Sequence, residues 1–174
     1  MDVNFGPSQD ISIKEKPWAN YIEEDLTELL HESQILLTLV PSWGEKFHDY
    51  SFVVFPAAKA YEGFLKKFFL DMGFISEEDY FGKHFRIGKA LNPAIRKDFP
   101  DFESIYDKVA QHCGGKDLAN TLWETWRECR NLVFHWFPNE KNAITLEIAQ
   151  SRFEMIINAI DRSFAECKIN TKSN

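Results

Sequence analysis

The amino-acid sequence predicts an all-α protein, a compact up-and-down bundle of four to six helices. Two observations carry this prediction. Apolar residues recur at intervals of three and four along several long segments, which is the period of a helix with one buried face. Proline or glycine stands near the ends of these segments, where helices stop. No segment of useful length alternates apolar and polar residues as a half-buried strand does.

The first two helices are predicted in the first half of the chain. One spans residues 19–40, with leucine and isoleucine at helical spacing, and Pro41 ends it. The next spans residues 52–72 and is rich in alanine and phenylalanine. Pro56 falls within about its first turn, where proline is tolerated, and Gly73 stands where a C-terminal cap is expected.

The middle of the chain is less regular. Residues 74–100 predict a charged, aromatic loop with a short helix over 86–97, which Pro93 interrupts or shortens. A helix over 101–111 follows, with Asp101 as its N-cap and two glycines after it.

Two long helices are predicted at the C-terminal end. The first spans about 116–136, with Pro138 marking its exit, and the second spans 146–167 with an isoleucine-rich apolar stripe. All of these helices are expected to form one domain over residues 18–168, because 174 residues are too few for two comfortable domains. Residues 1–17 are expected to form a flexible arm and 169–174 a disordered tail.

Composition and charge limit the classes of function. The formal net charge of −7 argues against binding nucleic acid through overall charge, although an acidic protein can keep a local basic cleft. Neither a signal peptide nor a membrane-spanning run is evident, so the protein is expected to be cytoplasmic, with no membrane partner. Cys113, Cys129 and Cys167 are odd in number and lack metal-ligand spacing, which predicts free thiols. We expect no metal or cofactor.

The segment 121–138, TLWETWRECRNLVFHWFP, carries most of the functional signal. On a continuous helix, one face would be apolar, with Leu122, Trp126, Cys129, Val133 and Trp136. The opposite face would carry Arg127, Asn131 and His135 at four-residue steps, with Arg130 between the two faces. Such a polar face, short of the usual acid–lysine pairs, is unusual for a surface helix.

Arg130-Asn131-Leu132-Val133-Phe134-His135 resembles the R-x(4-6)-H motif of HEPN domains, in which a polar residue commonly follows the arginine. Upstream, residues 55–75 resemble the second long helix of the HEPN domain in RNase LS-type toxins. Together the two segments cover less than a third of the chain. Those toxins have additional N-terminal domains, so the resemblance implies a stand-alone catalytic module here.

The resemblance implies a metal-independent endoribonuclease of the toxin–antitoxin or phage-defence type, in which the ribose 2′-OH attacks the neighbouring phosphate. Histidine suits proton transfer near neutral pH, and arginine offers a permanent charge to a phosphate oxygen. One Arg–His pair per chain is an incomplete set. The resemblance therefore also implies a homodimer, whose two-fold symmetry brings two such pairs into one cleft with the RNA substrate.

Individual roles follow from the resemblance. Arg130 and His135 are the expected catalytic residues, Asn131 would bind the phosphate or orient the histidine, and Glu62 would position one of them. Arg127 and Lys66 are expected to bind substrate.

A structural role remains open for each of these residues. Arg130 could pair with a carboxylate, His135 could interact with a helix dipole, and Glu62 and Lys66 could form an ordinary i,i+4 pair. Trp123, Trp126 and Trp136 could stack RNA bases but are expected in the core or an interface. The other histidines, which lack convincing metal-ligand spacing, are His31, His48, His84 and His112.

Two other functions also remain open. The chain could be a non-catalytic HEPN-like interaction module, or a nucleotide-binding bundle, although no phosphate loop is present. A branch of the HEPN family has a tyrosine two residues after the histidine, which a partner antitoxin modifies. Phe137 stands there in this chain, which excludes that modification at this position and leaves a directly bound antitoxin protein as a possible partner.

Overall fold

The computed structural model describes residues 12–99, 102, 104–136, 138, 142–167 and 169, apart from the side chains of residues 96 and 98. Within these residues the fold is all-α and no strand is present, which confirms the predicted fold class. The helices are α1 (Glu24–Leu39), α2 (Ser51–Asp71), α3 (Glu77–Phe81), α4 (Ile87–Ala90), α5 (Ile95–Asp98), α6 (Ile105–His112), α7 (Gly115–Trp126) and α8 (Leu146–Glu166). No helix in this part of the chain is long and apolar enough to cross a membrane.

Helix α2 is the centre of the bundle. It packs against α1 and α8, and α8 in turn packs against α7. Most faces of α2 are therefore buried, and its aromatic residues Tyr61, Phe64 and Phe68 are fully enclosed. Tyr61 donates a hydrogen bond from its hydroxyl group to the Leu122 carbonyl of α7 at 3.1 Å, so its polar atom is satisfied inside the core. Burial raises the pKa of Tyr61 well above its ordinary value.

The contact between α1 and α2 includes one buried polar interaction. The Ala57 amide of α2 donates a hydrogen bond to the Ser33 hydroxyl oxygen of α1 at 2.9 Å, and Ser33 is fully buried. Pro56 lies immediately before this amide and has no N–H of its own to donate. The hydroxyl group therefore satisfies a backbone donor at the point where proline perturbs the helix ladder.

The first described residues pack against the bundle. Ile13 is buried within a short 3-10 helix, Ile13–Glu15. Lys16 and Trp18 both reach Asp161 of α8, at 2.7 and 2.6 Å. Residues 12–17 were included in the expected flexible arm, but these contacts attach them to α8.

The predicted helix ends at Pro41 and Gly73 agree with the structure. Gly73 follows α2 with a φ of 68°, and the Phe74 amide returns to the Phe69 carbonyl at 2.7 Å, as in a Schellman motif. The predicted helix over 86–97 is split by Pro93 into α4 and α5. Helix α6 is capped by Ser104, whose hydroxyl oxygen accepts a hydrogen bond from the Asp107 amide. The predicted cap, Asp101, lies outside the described residues.

The predicted helix over 116–136 is shorter than expected and changes type. Helix α7 ends at Trp126, a π-helical turn follows over Arg127–Asn131, and residues 132–134 form turns. Trp136 was expected on the apolar face of this helix, but 81% of it is exposed to solvent. Trp136 does not lie on a buried helix face, because the helix has already ended when the chain reaches it.

The cysteine prediction also requires a correction. Cys113 and Cys167 form a disulfide bond with their Cα atoms 4.6 Å apart, and Cys129 is the free, buried thiol. The bond joins the turn between α6 and α7 to the end of α8. This pair could not be predicted from the sequence, because the two cysteines are separated by 54 positions and only the fold brings them together.

Candidate active site

Helix α2 has a stripe of side chains that reaches the surface. Phe55, Lys59, Glu62 and Lys66 follow one another at intervals of three and four residues, and each is exposed or half-buried. Other faces of the helix pack against α1 and α8. This stripe therefore carries polar and charged groups that solvent can reach.

Arg130 lies opposite the stripe and is held by two contacts. Its Nη2 atom is 3.5 Å from the Glu62 Oε2 atom, and its guanidinium carbon is 5.3 Å from the centroid of the Trp126 ring. The side chains of Arg130 and Glu62 are each 36% exposed, so solvent screens the ion pair and its contribution to stability is small. The pair instead fixes the direction of a permanent positive charge at the surface.

The π-helical turn places Arg130 on this surface. The Leu132 amide donates to the Arg127 carbonyl at 2.9 Å, an i to i+5 hydrogen bond. Inside the turn, the buried Cys129 thiol donates to the Arg152 carbonyl of α8 at 3.3 Å. Single π-helical turns of this kind occur frequently at functional sites.

His135 follows the last turn and is exposed. The Asn142 side-chain amide donates to the carbonyl groups of Leu132 and His135 at 3.3 and 3.0 Å, which fixes the main chain on both sides of the turn. The main chain just after Asn142 is also held in place, because Asp49 accepts a hydrogen bond from the Ile144 amide at 3.2 Å. Asn142 therefore determines where the His135 main chain lies.

Arg130 and His135 line the same open groove, which we call the His135 groove. Its volume is about 330 Å³, within the usual range for small-molecule sites. Its lining residues come from α2 and from the segment after the π-helical turn: Phe55, Ala58, Lys59, Glu62, Arg130, Phe134 and His135. Phe55 and Phe134 form its apolar wall, with ring centroids 5.2 Å apart.

A second groove lies on the other side of the Glu62–Arg130 pair, and we call it the Arg86 groove. Its volume is about 420 Å³. Its lining residues are Glu62, Phe85, Arg86, Ile87, Gly88, Lys89, Trp123, Trp126, Arg130 and Asn131. Because Glu62 and Arg130 line both grooves, the ion pair forms the boundary between them.

The charge of the two grooves differs in sign from that of the chain. Their linings include the cationic side chains of Lys59, Arg86, Lys89 and Arg130, against the single carboxylate of Glu62. The whole chain has a formal net charge of −7. This local positive surface is suited to an anionic ligand, because field lines concentrate in a concave site with low-dielectric walls.

The predicted site residues separate into two groups. Arg130, His135 and Glu62 line the His135 groove, and Asn131 lies in the Arg86 groove instead. Arg127 and Lys66 line neither groove. The Arg127 side chain instead contacts the Glu128 carboxylate at 2.9 Å.

Several residues of the two grooves were not identified from the sequence. Lys59 could have been found from its spacing of three residues before Glu62 on the exposed stripe of α2. Arg86, Lys89 and Asn142 had no local signal, because only the fold brings their segments to this surface.

The three tryptophans of this segment take different positions. Trp126 is buried beneath Arg130, and Trp123 is half-buried in the wall of the Arg86 groove. Trp136 is exposed beside His135 in the sequence. All three were expected in the core or an interface: Trp126 is in the core, Trp123 packs against the core while partly buried, and Trp136 is not in the core.

Cys129 is close to Arg130 in the sequence but is not available as a nucleophile. Burial raises the pKa of its thiol from 9.0 to about 12. The thiol is thus neutral at physiological pH and packs in the core. Among the residues that the structure describes, no three His, Cys, Asp or Glu side chains are grouped as a metal ion would require.

Phe137, which replaces the tyrosine of one HEPN branch, lies outside the described residues. Comparison of the chain with models of known protein families, with curated proteins and with solved structures finds no match.

Proposed function

We propose that this protein is a metal-independent endoribonuclease of the toxin–antitoxin or phage-defence type. The observation that carries the proposal is that Arg130 and His135 line one open groove, with Arg130 directed by Glu62 and Trp126. A permanent cation and an imidazole beside one positively charged surface are the groups that phosphodiester cleavage by a 2′-OH requires. The resemblance of Arg130–His135 to the R-x(4-6)-H motif supports the same activity.

The proposed reaction is a transesterification followed by release of both products. The His135 imidazole accepts the proton of the ribose 2′-OH, and the 2′-oxygen forms a new bond to the adjacent phosphorus. Arg130 donates hydrogen bonds to a non-bridging oxygen, where negative charge accumulates. The bond from phosphorus to the 5′-oxygen then breaks, and that oxygen takes a proton from a protonated imidazole. The products are a 2′,3′-cyclic phosphate and a free 5′-hydroxyl.

The reaction needs a base and an acid at the same time, whereas each chain supplies one histidine of this groove. We propose that a homodimer completes the site, with His135 of the partner subunit as the second imidazole. The apolar surface beside the groove supports this arrangement, because Phe55 is 54% exposed and Trp136 is 81% exposed. Large exposed aromatic side chains are enriched at protein interfaces.

Purified variants test the activity. Wild type, Arg130→Ala and His135→Ala would be incubated with mixed-sequence RNA in EDTA. His31→Ala and Lys14→Ala, which remove an imidazole and a cation far from the grooves in sequence, serve as matched controls. We expect wild type and both controls to cut RNA, and both site variants to lose at least 100-fold in rate while keeping their helical circular dichroism.

A second candidate function is a non-catalytic interaction module, which the exposed Phe55 and Trp136 favour. The same RNA cleavage experiment distinguishes the interaction module from the nuclease. Folded wild type that cuts no RNA, or Arg130→Ala and His135→Ala variants that cut as fast as the controls, would reject the nuclease and leave the interaction module.

A further inference from the structure

The Arg86 groove lies beside the proposed cleavage site but holds none of its proton-transfer groups. Its lining includes the buried Trp126 and the half-buried Trp123 of α7. The exposed Arg86 and Lys89, at the start of α4, also line it. The groove therefore offers both aromatic and cationic side chains.

Arg86, which precedes α4, and Lys89 of α4 make no contact with a carboxylate in the described part of the chain. Arg86 donates from Nη1 to the Lys83 carbonyl at 2.7 Å, which orients its guanidinium group. The Lys89 ammonium group lies 4.5 and 5.1 Å from the ring centroids of Phe99 and Phe102. Neither charge is neutralised by these contacts, so both can attract an anion.

Helix α4 packs tightly against Trp126, so the shape of this groove is fixed by the fold. A Cβ atom added at Gly88 would lie 2.7 Å from Nε1 of Trp126, so only glycine fits against the indole. The same indole supports the Arg130 guanidinium group. Helix α4 is therefore packed directly onto the residue that directs the proposed catalytic arginine.

We propose that the Arg86 groove binds the nucleotide of single-stranded RNA next to the cleaved phosphate. This inference rests on the proposed function. Trp123 stacks on the base, while Arg86 and Lys89 bind the phosphate on the far side of that nucleotide. Because the two grooves meet at the Glu62–Arg130 pair, a strand whose phosphate contacts Arg130 continues directly into the Arg86 groove.

Single-stranded RNA is the occupant that this chemistry favours. Aromatic rings bind unstacked bases of any sequence, and a row of cations follows the phosphates. A double helix keeps its base faces stacked inside and would leave Trp123 unused. An acidic peptide would satisfy the cations but would not need a flat aromatic wall.

The test measures binding separately from cleavage. A fluorescein-labelled RNA of 12 nucleotides with 2′-O-methyl groups throughout cannot undergo 2′-OH attack, and its binding is followed by anisotropy at several salt concentrations. The Arg86→Ala/Lys89→Ala double variant is compared with wild type. A Lys14→Ala/Lys116→Ala double variant, which removes two exposed cations elsewhere, is the control for net charge.

The Arg86→Ala/Lys89→Ala variant is expected to lose two phosphate contacts, and this loss determines how much its RNA binding should weaken. Each contact contributes about 0.7 to the slope of log K against log salt for a single strand, so the slope falls by about 1.4. At 0.1 M salt this corresponds to roughly 25-fold weaker binding. Trp123→Ala is expected to bind about 10-fold more weakly with an unchanged slope, because stacking involves no charge. Thermal unfolding of each variant verifies that the protein is folded.

The outcomes distinguish this inference from the proposed function. If wild type binds the uncleavable RNA and Arg86→Ala/Lys89→Ala weakens binding, the Arg86 groove is a single-stranded RNA site. Native RNA left uncut by the same protein would then reject the nuclease and not this site. If RNA is cut but the double variant binds like its control, the inference is overturned and the nuclease remains. Absence of binding by wild type, or tighter binding of an acidic peptide than of the RNA, also overturns it.

Discussion

Arg130 is directed by two neighbours of different chemical kinds. Glu62 attracts it through charge at 3.5 Å, and Trp126 supports its planar guanidinium group from below. Neither contact is buried deeply enough to contribute much to folding. Their main consequence is to hold one cation at the boundary of two grooves, where a phosphate can reach it.

Glu62 is a positioning residue in this account. Glu62→Gln keeps the side-chain shape and removes the charge that directs Arg130, so we expect the kcat for RNA cleavage to fall about 10-fold. KM should stay unchanged or decrease, because a negative charge is removed from an anion-binding groove. Steady-state kinetics on RNA measure both values. Glu62→Asp should restore part of kcat, and a Glu62→Gln variant with wild-type kcat would reject the positioning role.

Cys129 is expected to be unreactive while the protein is folded. With its pKa raised to about 12, roughly one thiol in ten thousand is ionised at pH 8. Iodoacetamide at pH 8 should therefore label no cysteine in the folded, unreduced protein, and one per chain after unfolding in guanidinium. Two or three labelled cysteines in the folded protein would contradict both the burial of Cys129 and the Cys113–Cys167 bond.

The same thiol contributes to the pH dependence of stability. An unfolded thiol ionises near 9.0, whereas burial keeps the folded thiol neutral up to about 12. Its stabilising contribution is thus present in full below pH 9 and is lost as the pH rises through 12.

At the scale of elements, the sequence predicted the helices that end or break at a proline or a glycine. Gly73, Pro41 and Pro93 mark the ends or interruptions of helices through the conformations that glycine and proline allow, and these effects are local. The apolar period identified α2 and α8 in the same way. Local rules were sufficient for the framework of the bundle.

The π-helical turn could not be predicted from the same pattern. An i to i+5 hydrogen bond adds a residue to one turn, and residues after Arg127 no longer follow the α-helical period. On a continuous helix Trp136 would lie on the apolar face, whereas the structure exposes it. Arg127 was expected to bind substrate, whereas its side chain contacts Glu128. The Arg86 groove was missed because it depends on contacts between α4 and α7.

Gly88 connects α4 to the arginine through Trp126. Gly88→Ala places a methyl group against the buried indole, and we expect a loss of about 1–3 kcal/mol in the free energy of unfolding. The rate of RNA cleavage should fall by more than the loss of folded protein accounts for, because Arg130 loses its contact with a correctly placed Trp126. Thermal unfolding and RNA cleavage by the same preparation measure the two effects. Wild-type stability together with wild-type cleavage would show that α4 does not constrain Trp126.

At the scale of the whole molecule, the disulfide bond attaches the end of α8 to the turn before α7. Its two cysteines are 54 residues apart, so the bond restricts the unfolded chain strongly. The Cys113→Ala/Cys167→Ala double variant should lose roughly 2–4 kcal/mol in the free energy of unfolding. Chemical denaturation measures this, and dithiothreitol should destabilise wild type but leave the variant unchanged. Equal stability of the two proteins would contradict the bond.

The proposed dimer is also tested at the scale of the whole molecule. Trp136→Glu places a charge on a residue that is 81% exposed, so the fold of the monomer should be unaffected. We expect light scattering to give the mass of a monomer for this variant and of a dimer for wild type. RNA cleavage should be lost with the dimer, since each chain supplies half of the site. An active monomer would reject the composite site.

The chemistry of the cut ends tests the proposed nuclease most directly. Wild-type protein in EDTA would be given an RNA oligonucleotide and the same sequence with one 2′-O-methyl group at the mapped cleavage position. Mass spectrometry should find a 2′,3′-cyclic phosphate and a 5′-hydroxyl from the RNA and no cut at the blocked position, with Arg130→Ala and His135→Ala inactive. Cleavage at the blocked position, or a 5′-phosphate on the product, would contradict the account.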